Sequence, residues 1–428
     1  MERLIGIFGC FVLLGIAWLL SNNKRQINYR VVGWGLLLQL IFAVLILKTA
    51  AGQAVFVYGR AGVMKLLSFT DVGAQFLFGN LYLGESGIVK GLKMPGPYQI
   101  WDPNTQSFVD IGISFAMHVL PTIIFFASLM SILYHVGIMQ KLVKGVAWVM
   151  EKTMRTSGAE SISVASNIFV GQTEAPLVVK PFIAQMTMSE LMAVMTGGFA
   201  TIAGGVMAAY VRFGADAGHL MAASVMSAPA ALVMAKIIFP ETQESATKDA
   251  AEISVEKTSV NVVDAAANGA ADGLKLALNV GAMLLAFYAL IHLLDYGVIQ
   301  FSSLFGFEEL GLKKLLGFAF APLALVMGVE MGDVLNFGYL LGTKVSLNEF
   351  VAFVELGNLK ETLSPRSFII GTYALCGFAN FSSIAIQIGG IGSIAPGRRQ
   401  DLARIGLKAM IGGALASWLT ATIAGILL

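Results

Sequence analysis

Eight stretches of this chain are mostly apolar and about as long as a membrane is thick: residues 4–20, 31–51, 111–136, 189–211, 220–239, 274–299, 368–395 and 407–428. A helix needs roughly 20 apolar residues to cross the hydrocarbon core. In that solvent every backbone N–H and C=O must be satisfied inside the segment, so runs of this length are expected to be helices. Composition agrees. Apolar residues make up 57% and charged residues 13%, about half of the ~25% charge usual in soluble domains. Mean hydropathy is +0.77. A soluble chain could not hide so much apolar surface, which excludes a soluble enzyme, a disordered chain and a nucleic-acid binder. The expected fold is an all-α polytopic membrane protein.

Charge placement sets the expected topology, because Lys and Arg collect on the cytoplasmic side. Lys24, Arg25 and Arg30 follow the first run, Lys141, Lys144, Lys152 and Arg155 follow the third, and Arg398, Arg399 and Arg404 precede the last. These assignments agree with one another only if both termini lie outside. The first run is flanked by Glu2-Arg3 and followed by SNNKR, not by a small-residue cleavage site, so it is expected to be a retained helix. Residues 52–75 and 137–156 read as interfacial helices, the second amphipathic and basic. Residues 82–107 read as an outer loop and 240–262 as a cytoplasmic linker.

Two further stretches do not read as simple spans. Residues 157–186 carry GQTEAP at their centre, and residues 316–353 are broken by GVEMGD and by Asn348-Glu349. A non-helical tip at membrane depth is tolerated where it faces a polar cavity, so both are expected to be re-entrant hairpins. The runs 189–211 and 368–395 are interrupted in turn, the first at Gly197-Gly198 and Gly204-Gly205, the second at Asn380, Ser382, Ser383 and Gly389-Gly390. Eight spans, two of them broken, and two hairpins thus form inverted repeats. Discontinuous helices at matching places in two inverted halves point to a transporter site at mid-membrane.

Chemistry follows the polar residues. Glu174 and Glu349 stand in apolar surroundings, where a carboxylate is costly and usually faces a partner or a cavity. Lys180 and Lys344 are possible ion-pair partners. Neutral groups accompany them: Gln172 and Thr173 beside one, Asn348 beside the other, with Asn167, Thr201, Asn380 and Ser383 elsewhere. Such a set suits an uncharged, hydroxyl-rich solute, while carbonyls freed at helix breaks suit a hard monovalent cation. Leu278 and Phe378 are candidate apolar walls. Cys10 and Cys376 lie within apolar segments, and His118, His135, His219 and His292 are scattered, so neither a disulfide framework nor a metal cluster is expected. HExxH and GxxxxGK[ST] are absent, which speaks against a zinc protease or an ATP-driven motor. A channel, a membrane-embedded enzyme and a carrier of another neutral polar solute are the alternatives that the residues alone leave open.

Three motifs, GQTEAPLVVKPF (171–182), GTKVSLNEFVAF (342–353) and CGFANFSSIAI (376–386), together resemble the concentrative nucleoside transporter family. The likeness covers essentially the whole chain and looks prokaryotic, because the extra N-terminal helices of animal members are missing. It implies a homotrimer in the bacterial inner (cytoplasmic) membrane that imports nucleosides such as uridine with Na+ by an elevator-type mechanism. It implies a scaffold of residues 1–156 and 263–308, and a transport domain of residues 157–262 and 309–428. Gln172, Thr173 and Glu174 inherit recognition of the base, with Val206, Leu278 and Phe378 as apolar walls. Glu349, Asn380 and Ser383 inherit the ribose. Asn167, Val170, Thr201 and Ile202 inherit the Na+ site. Thr201 stands where the family has Ser and keeps the hydroxyl. Asn167, which H+-coupled relatives tend to lose, is present, so Na+ is the expected coupling ion and H+ the alternative. The base-reading motif is QTE where some relatives have QSE, which leaves base preference open.

Overall fold

The computed structural model describes residues 2–82, 99–102, 106–110, 115–247, 259–306 and 310–428. The first two apolar runs form α1 (Glu2–Leu19) and α2 (Tyr29–Lys48), and Asn28 caps α2 by accepting from Arg30 N. α3 (Ala50–Phe78), capped by Thr49, is the first expected interfacial helix. An antiparallel strand pair, β1 (Gln99–Asp102) and β2 (Ser107–Asp110), occupies part of the stretch expected to be loop. Residues 83–98 and 103–105 of that stretch lie outside the described residues, as do 111–114 of the third run and 248–258 of the linker. The third run opens as a π-helical turn, Phe115–Val119, and continues as α4 (Leu120–Val136), ended by Gly137 at φ +89°. That left-handed conformation is one that glycine adopts without strain. α5 (Ile138–Met154) is the basic amphipathic helix.

A succession of elements then appears twice. α5 is followed by α6 (Gly158–Ser166), an irregular tip, and the short helices α7 (Ala175–Val178) and α8 (Lys180–Ile183). The broken helix α9 (Met188–Ala200) and α10 (Gly204–Arg212) comes next, then α11 (Ala217–Ile238). After α12 (Val262–Ser303), α13 (Leu312–Val326) is followed by the helix pair α14 (Val334–Ser346) and α15 (Glu349–Asn358). A second broken helix, α16 (Pro365–Leu375) and α17 (Phe381–Ile394), leads to α18 (Arg399–Leu427).

Three boundaries differ from expectation. The second hairpin is α14–α15, not residues 316–353: GVEMGD is the turn between α13 and α14, and α13 is a separate helix. Gly197-Gly198 and Gly389-Gly390 are helical, and the breaks fall at Thr201–Ala203 and Cys376–Asn380 instead. The glycines of α9 serve close approach. A Cβ on Gly197 would stand 2.9 Å from Val164 Cγ2, and one on Gly198 would stand 2.8 Å from Gln387 Nε2. Among the described residues six helical stretches are long and apolar enough to cross a membrane: Glu2–Leu19, Tyr29–Lys48, Ala116–Val136, Met188–Arg212, Ala217–Ile238 and Pro396–Leu427. The other two expected runs take different forms. Residues 274–299 lie inside the 42-residue α12, and residues 368–395 divide into α16 and α17.

α9, α11 and α18 form the buried centre, with α1 and α2 against it. A Cβ on Gly35 of α2 would overlap Val233 Cγ2 of α11, and Gln39 Nε2 donates to Thr420 Oγ1 of α18 at 2.8 Å. α4 and α12 pair separately: Gly269 and Gly273 admit α4 backbone to within 2.8 Å of a built Cβ, and Ser128 Oγ donates to Ala266 O. The described part of the linker crosses the base of α9, where Ser245 and Thr247 hydroxyls donate to buried Glu190 (2.6 and 2.5 Å).

Candidate functional site

The first tip is built by local sequence. Ser157 and Glu160 close a capping box at the start of α6, with Ser157 N donating to Glu160 Oε1 at 2.8 Å. α6 ends at Asn167, whose Nδ2 donates to Ser163 O at 3.1 Å. Pro176 then starts α7, since proline fits a first helical turn but not its interior. The residues between carry the polar groups.

The second tip is shorter. α14 ends at Ser346, and Asn348 caps α15 by accepting from Val351 N at 2.9 Å, which puts Glu349 in the first helical turn. Asn380 does the same for α17, accepting from Ser383 N at 2.9 Å and from Ser382 Oγ at 2.7 Å. Three helix N-termini, those of α7, α15 and α17, therefore begin within the polar motifs.

Hydrogen bonds join the two tips to both broken helices. Asn380 Nδ2 donates to Glu349 Oε2 at 3.0 Å, and Tyr210 Oη of α10 donates to Glu349 Oε1 at 3.2 Å. Gln172 Nε2 donates to Ser383 Oγ at 3.1 Å, and Gln387 Nε2 donates to Gln172 Oε1 at 3.0 Å and to Met195 O at 3.2 Å. Glu349, Asn380, Ser383 and Gln172 are all buried. A buried carboxylate with two donors and a string of amides is stable only when its polar groups find partners. These partners are also ones that a hydroxylated, amide-bearing solute supplies.

The remaining expected residues separate. Thr173 is half-buried, its Cγ2 3.4 Å from a Cβ built on Gly390. Glu174 is exposed and its carboxylate folds over Gly171. Val206 is buried in α10, and Phe378 is half-buried in the second break. Leu278, on α12, is 60% exposed and is not joined to this set among the described residues. Neither lysine pairs as the sequence allowed. Lys180 is exposed, while Lys344 is fully buried and donates to Ala374 O (2.7 Å) and Ser417 Oγ (2.8 Å).

The first tip and the first break, which carry Asn167 and Val170 and Thr201 and Ile202 respectively, meet. Gly204 N donates to Phe169 O at 3.0 Å, tying the first tip to the first break, and Asn167 Nδ2 lies 3.3 Å from a Cβ built on Gly197. Thr201 Oγ1 donates to Gly197 O at 3.1 Å, which leaves its lone pairs free to accept. Asn167 Oδ1 is buried without a hydrogen-bond partner among the described residues. The orphaned amide oxygen on the first tip, with the Thr201 hydroxyl and the carbonyls of the break it meets, offers hard, neutral oxygens. They fit a monovalent cation such as Na+.

Two members of the network, Tyr210 and Gln387, were not singled out in the sequence. Gln387 follows Asn380 and Ser383 by seven and four residues, so one helical face carries all three. Tyr210 had no comparable signal; its ring stacks on Phe353 (centroids 4.2 Å apart) inside an apolar segment.

Comparisons with known proteins agree with this fold. Residues 8–81 and 219–425 match the family models described as the N-terminus and C-terminus of the Na+ dependent nucleoside transporter, and residues 116–217 match the gate model described as nucleoside recognition. The chain is 44% identical to an uncharacterized transporter of Haemophilus influenzae, covering 100% of this chain and 98% of that one. It is 39% identical to sodium/nucleoside cotransporter 1 of Mus musculus, covering 100% of this chain and 64% of the mouse protein. The structure of CNTnw in an inward-facing substrate-bound state superposes with a TM-score of 0.89 at 40% identity, covering 100% of this chain and 98% of CNTnw.

Proposed function

The chain belongs to the Na+-dependent, concentrative nucleoside transporter family. It is a multi-pass membrane transporter and not an enzyme, and from that premise we propose that it is a Na+-coupled nucleoside symporter. It imports nucleosides such as uridine across the bacterial cytoplasmic membrane, with both termini periplasmic. The observation that carries the reading is the buried chain from Glu349 through Asn380 and Ser383 to Gln172, which links both tips to the second broken helix, with Tyr210 and the Gln387–Met195 bond adding the first.

The tips fit re-entrant hairpins. α14 has 13 residues and spans about 20 Å, and α6 is shorter still, against a hydrocarbon core of about 30 Å. With the eight expected spans they form two inverted halves. Nucleoside binding exchanges the direct Gln172–Ser383 bond for bonds to the solute. Gln172, Thr173 and Glu174 take the base between the apolar walls of Val206, Leu278 and Phe378. Glu349, Asn380 and Ser383 take the ribose hydroxyls. Na+ sits between the first tip and the first break, on Asn167 Oδ1, Thr201 Oγ1 and the carbonyls of Val170 and Ile202, and orders the tip that carries Gln172.

Movement follows the packing. α4 and α12 stay as a frame with α3 and α5, while residues 157–262 and 309–428 carry the site past them as an elevator. α1 and α2 travel with the moving part, because α1 lies along α18 and Gln39 of α2 bonds to Thr420 of α18. The homotrimer is part of this proposal.

Labelled uridine uptake into proteoliposomes tests it, comparing an inward Na+ gradient, an inward H+ gradient and neither. Accumulation driven by Na+ alone is expected. Accumulation driven by H+ would keep the substrate and overturn the cation site. No accumulation under either gradient would remove uridine as the substrate.

A further inference from the structure

Two ion pairs cross the boundary between α3 and the corner that joins α10 to α11. Arg212 Nη2, at the end of α10, donates to Asp71 Oδ1 of α3, and the two side chains are 13% and 19% exposed. Tyr82 Oη donates to the same oxygen. The second pair runs in the opposite sense: Arg60 Nη1 of α3 stands 3.1 Å from Oδ2 of Asp216, the cap of α11. Beside Arg60 the packing interlocks. A Cβ built on Gly218 would stand 2.6 Å from the Phe56 ring, and one on Gly59 would stand 2.6 Å from Met221 Cε. Phe56 also meets His219 edge-on, with centroids 4.9 Å apart. Surfaces packed this closely cannot slide; they have to open.

α3 is an arm between the two parts of the proposed elevator. At its far end Tyr82 stacks on His118 (centroids 4.7 Å apart), and Tyr82 O accepts from His118 Nε2 at 2.7 Å, in the turn that leads into α4. At its near end only Thr49 separates it from α2. Both ion pairs are built to part. Breaking a pair is costly when it strands a charge without partners. When Arg212 leaves, Asp71 keeps the Tyr82 hydroxyl on its own side. When Arg60 leaves, Asp216 keeps the N–H groups of Gly218 (2.8 Å) and His219 (3.3 Å) on its own side. Arg60 is 62% exposed and already meets water. Arg212 Nε is buried with no hydrogen-bond partner among the described residues, so the guanidinium is held at one end.

We infer that Asp71–Arg212 and Arg60–Asp216 are an ionic latch, closed in the arrangement seen in this structure and opened each time the site travels. Its strength sets how much of the population rests at this end of the movement. The inference rests on the elevator proposed above, with α3 in the frame.

The test uses purified full-length protein with Cys10 and Cys376 replaced and with Ala127→Cys and Gly205→Cys introduced. A Cβ built on Gly205 lies 4.0 Å from Ala127 N, so the rate at which a short thiol crosslinker joins the two positions reports how often this arrangement is occupied. Arg60→Gln is expected to slow crosslinking about two- to fivefold, the range of an exposed ion pair. Arg60→Glu should slow it further, because it sets like charge against Asp216, and Arg60→Lys should stay close to wild type. Asp71→Asn should slow it independently. Choline chloride added at fixed Na+ is expected to bring wild type toward Arg60→Gln, because salt screens exposed pairs; a side chain that only packs would show no such dependence. Wild-type crosslinking rates in Arg60→Glu and Asp71→Asn alike would overturn the latch and leave the elevator standing, with α3 riding on the moving part. If Asp71→Asn does not fold, Arg60→Glu, at an exposed position, decides alone. A crosslink that leaves uridine uptake in proteoliposomes running would sink the elevator first, and the latch with it.

Discussion

Glu349 is the residue on which most of the site converges. Its two carboxylate oxygens take separate donors from different elements, Asn380 and Tyr210. A hydrogen bond to an ionised acceptor is roughly twice as strong as a neutral one. Glu349→Gln is therefore expected to weaken uridine binding by about 1–2 kcal/mol, roughly tenfold or somewhat more in Kd. The fold should be retained, because glutamine fills the same space. Calorimetry on the purified variant checks this, and wild-type affinity would remove Glu349 from the ribose side. Tyr210→Phe separates holding from contacting: it keeps the stack on Phe353 and deletes one donor. Asn167 makes a different prediction. Its Nδ2 bond to Ser163 O is local, whereas its Oδ1 is the orphan. Asn167→Ala is expected to raise the Na+ concentration needed for half-maximal uptake while leaving uridine affinity at saturating Na+ nearly unchanged. A Na+ requirement that does not move would count against the site.

At the scale of elements, the legible parts were those that local chemistry dictates. The apolar runs gave α1, α2 and α11 to within a few residues, and the first tip stood out because Gly171, Gln172, Glu174 and Pro176 crowd together in an apolar stretch. The second hairpin was harder. GVEMGD is as polar as a tip, and only the structure shows it as a turn outside the pair α14–α15. The glycine pairs misled because glycine has two uses, breaking a helix and letting one approach another. Gly198 has the second use, which yields a prediction. A Cβ there would stand 3.0 Å from Gln172 Cβ and 2.8 Å from Gln387 Nε2. Gly198→Ala is expected to push Gln172 away from Ser383, costing about 1–3 kcal/mol of overpacking strain divided between stability and uridine affinity. Thermal unfolding and calorimetry would both register it. A variant unchanged in Tm and Kd would show that α9 does not set the position of the tip. Gln387 was within reach of periodicity alone; Tyr210 was not, since its partner lies 139 residues away.

The whole molecule adds what no segment contains: how closely each pair of helices packs. Charge placement predicts the orientation of the spans, whereas the elevator proposed above rests on packing. α2 is held to α11 and α18 by a glycine with no room and by the Gln39–Thr420 bond. α10 meets α4 differently, for the nearest atom to a Cβ built on Gly205 is Ala127 N, 4.0 Å away. A loose contact can slide, whereas one in which a glycine abuts a neighbour must first separate. Two cysteine pairs, each on a background with Cys10 and Cys376 replaced, turn this contrast into a measurement. Bridging Ala127→Cys to Gly205→Cys with a short thiol crosslinker is expected to stop uridine uptake, and reduction should restore it. Bridging Gln39→Cys to Thr420→Cys is expected to leave uptake running, because both residues ride on the same moving part. If the first bridge leaves uptake unimpaired, α10 does not travel past α4 and the elevator is wrong. If the second bridge stops it, α2 belongs with the frame, the moving part begins at residue 157, and the glycine contact at Gly35 must open in every cycle.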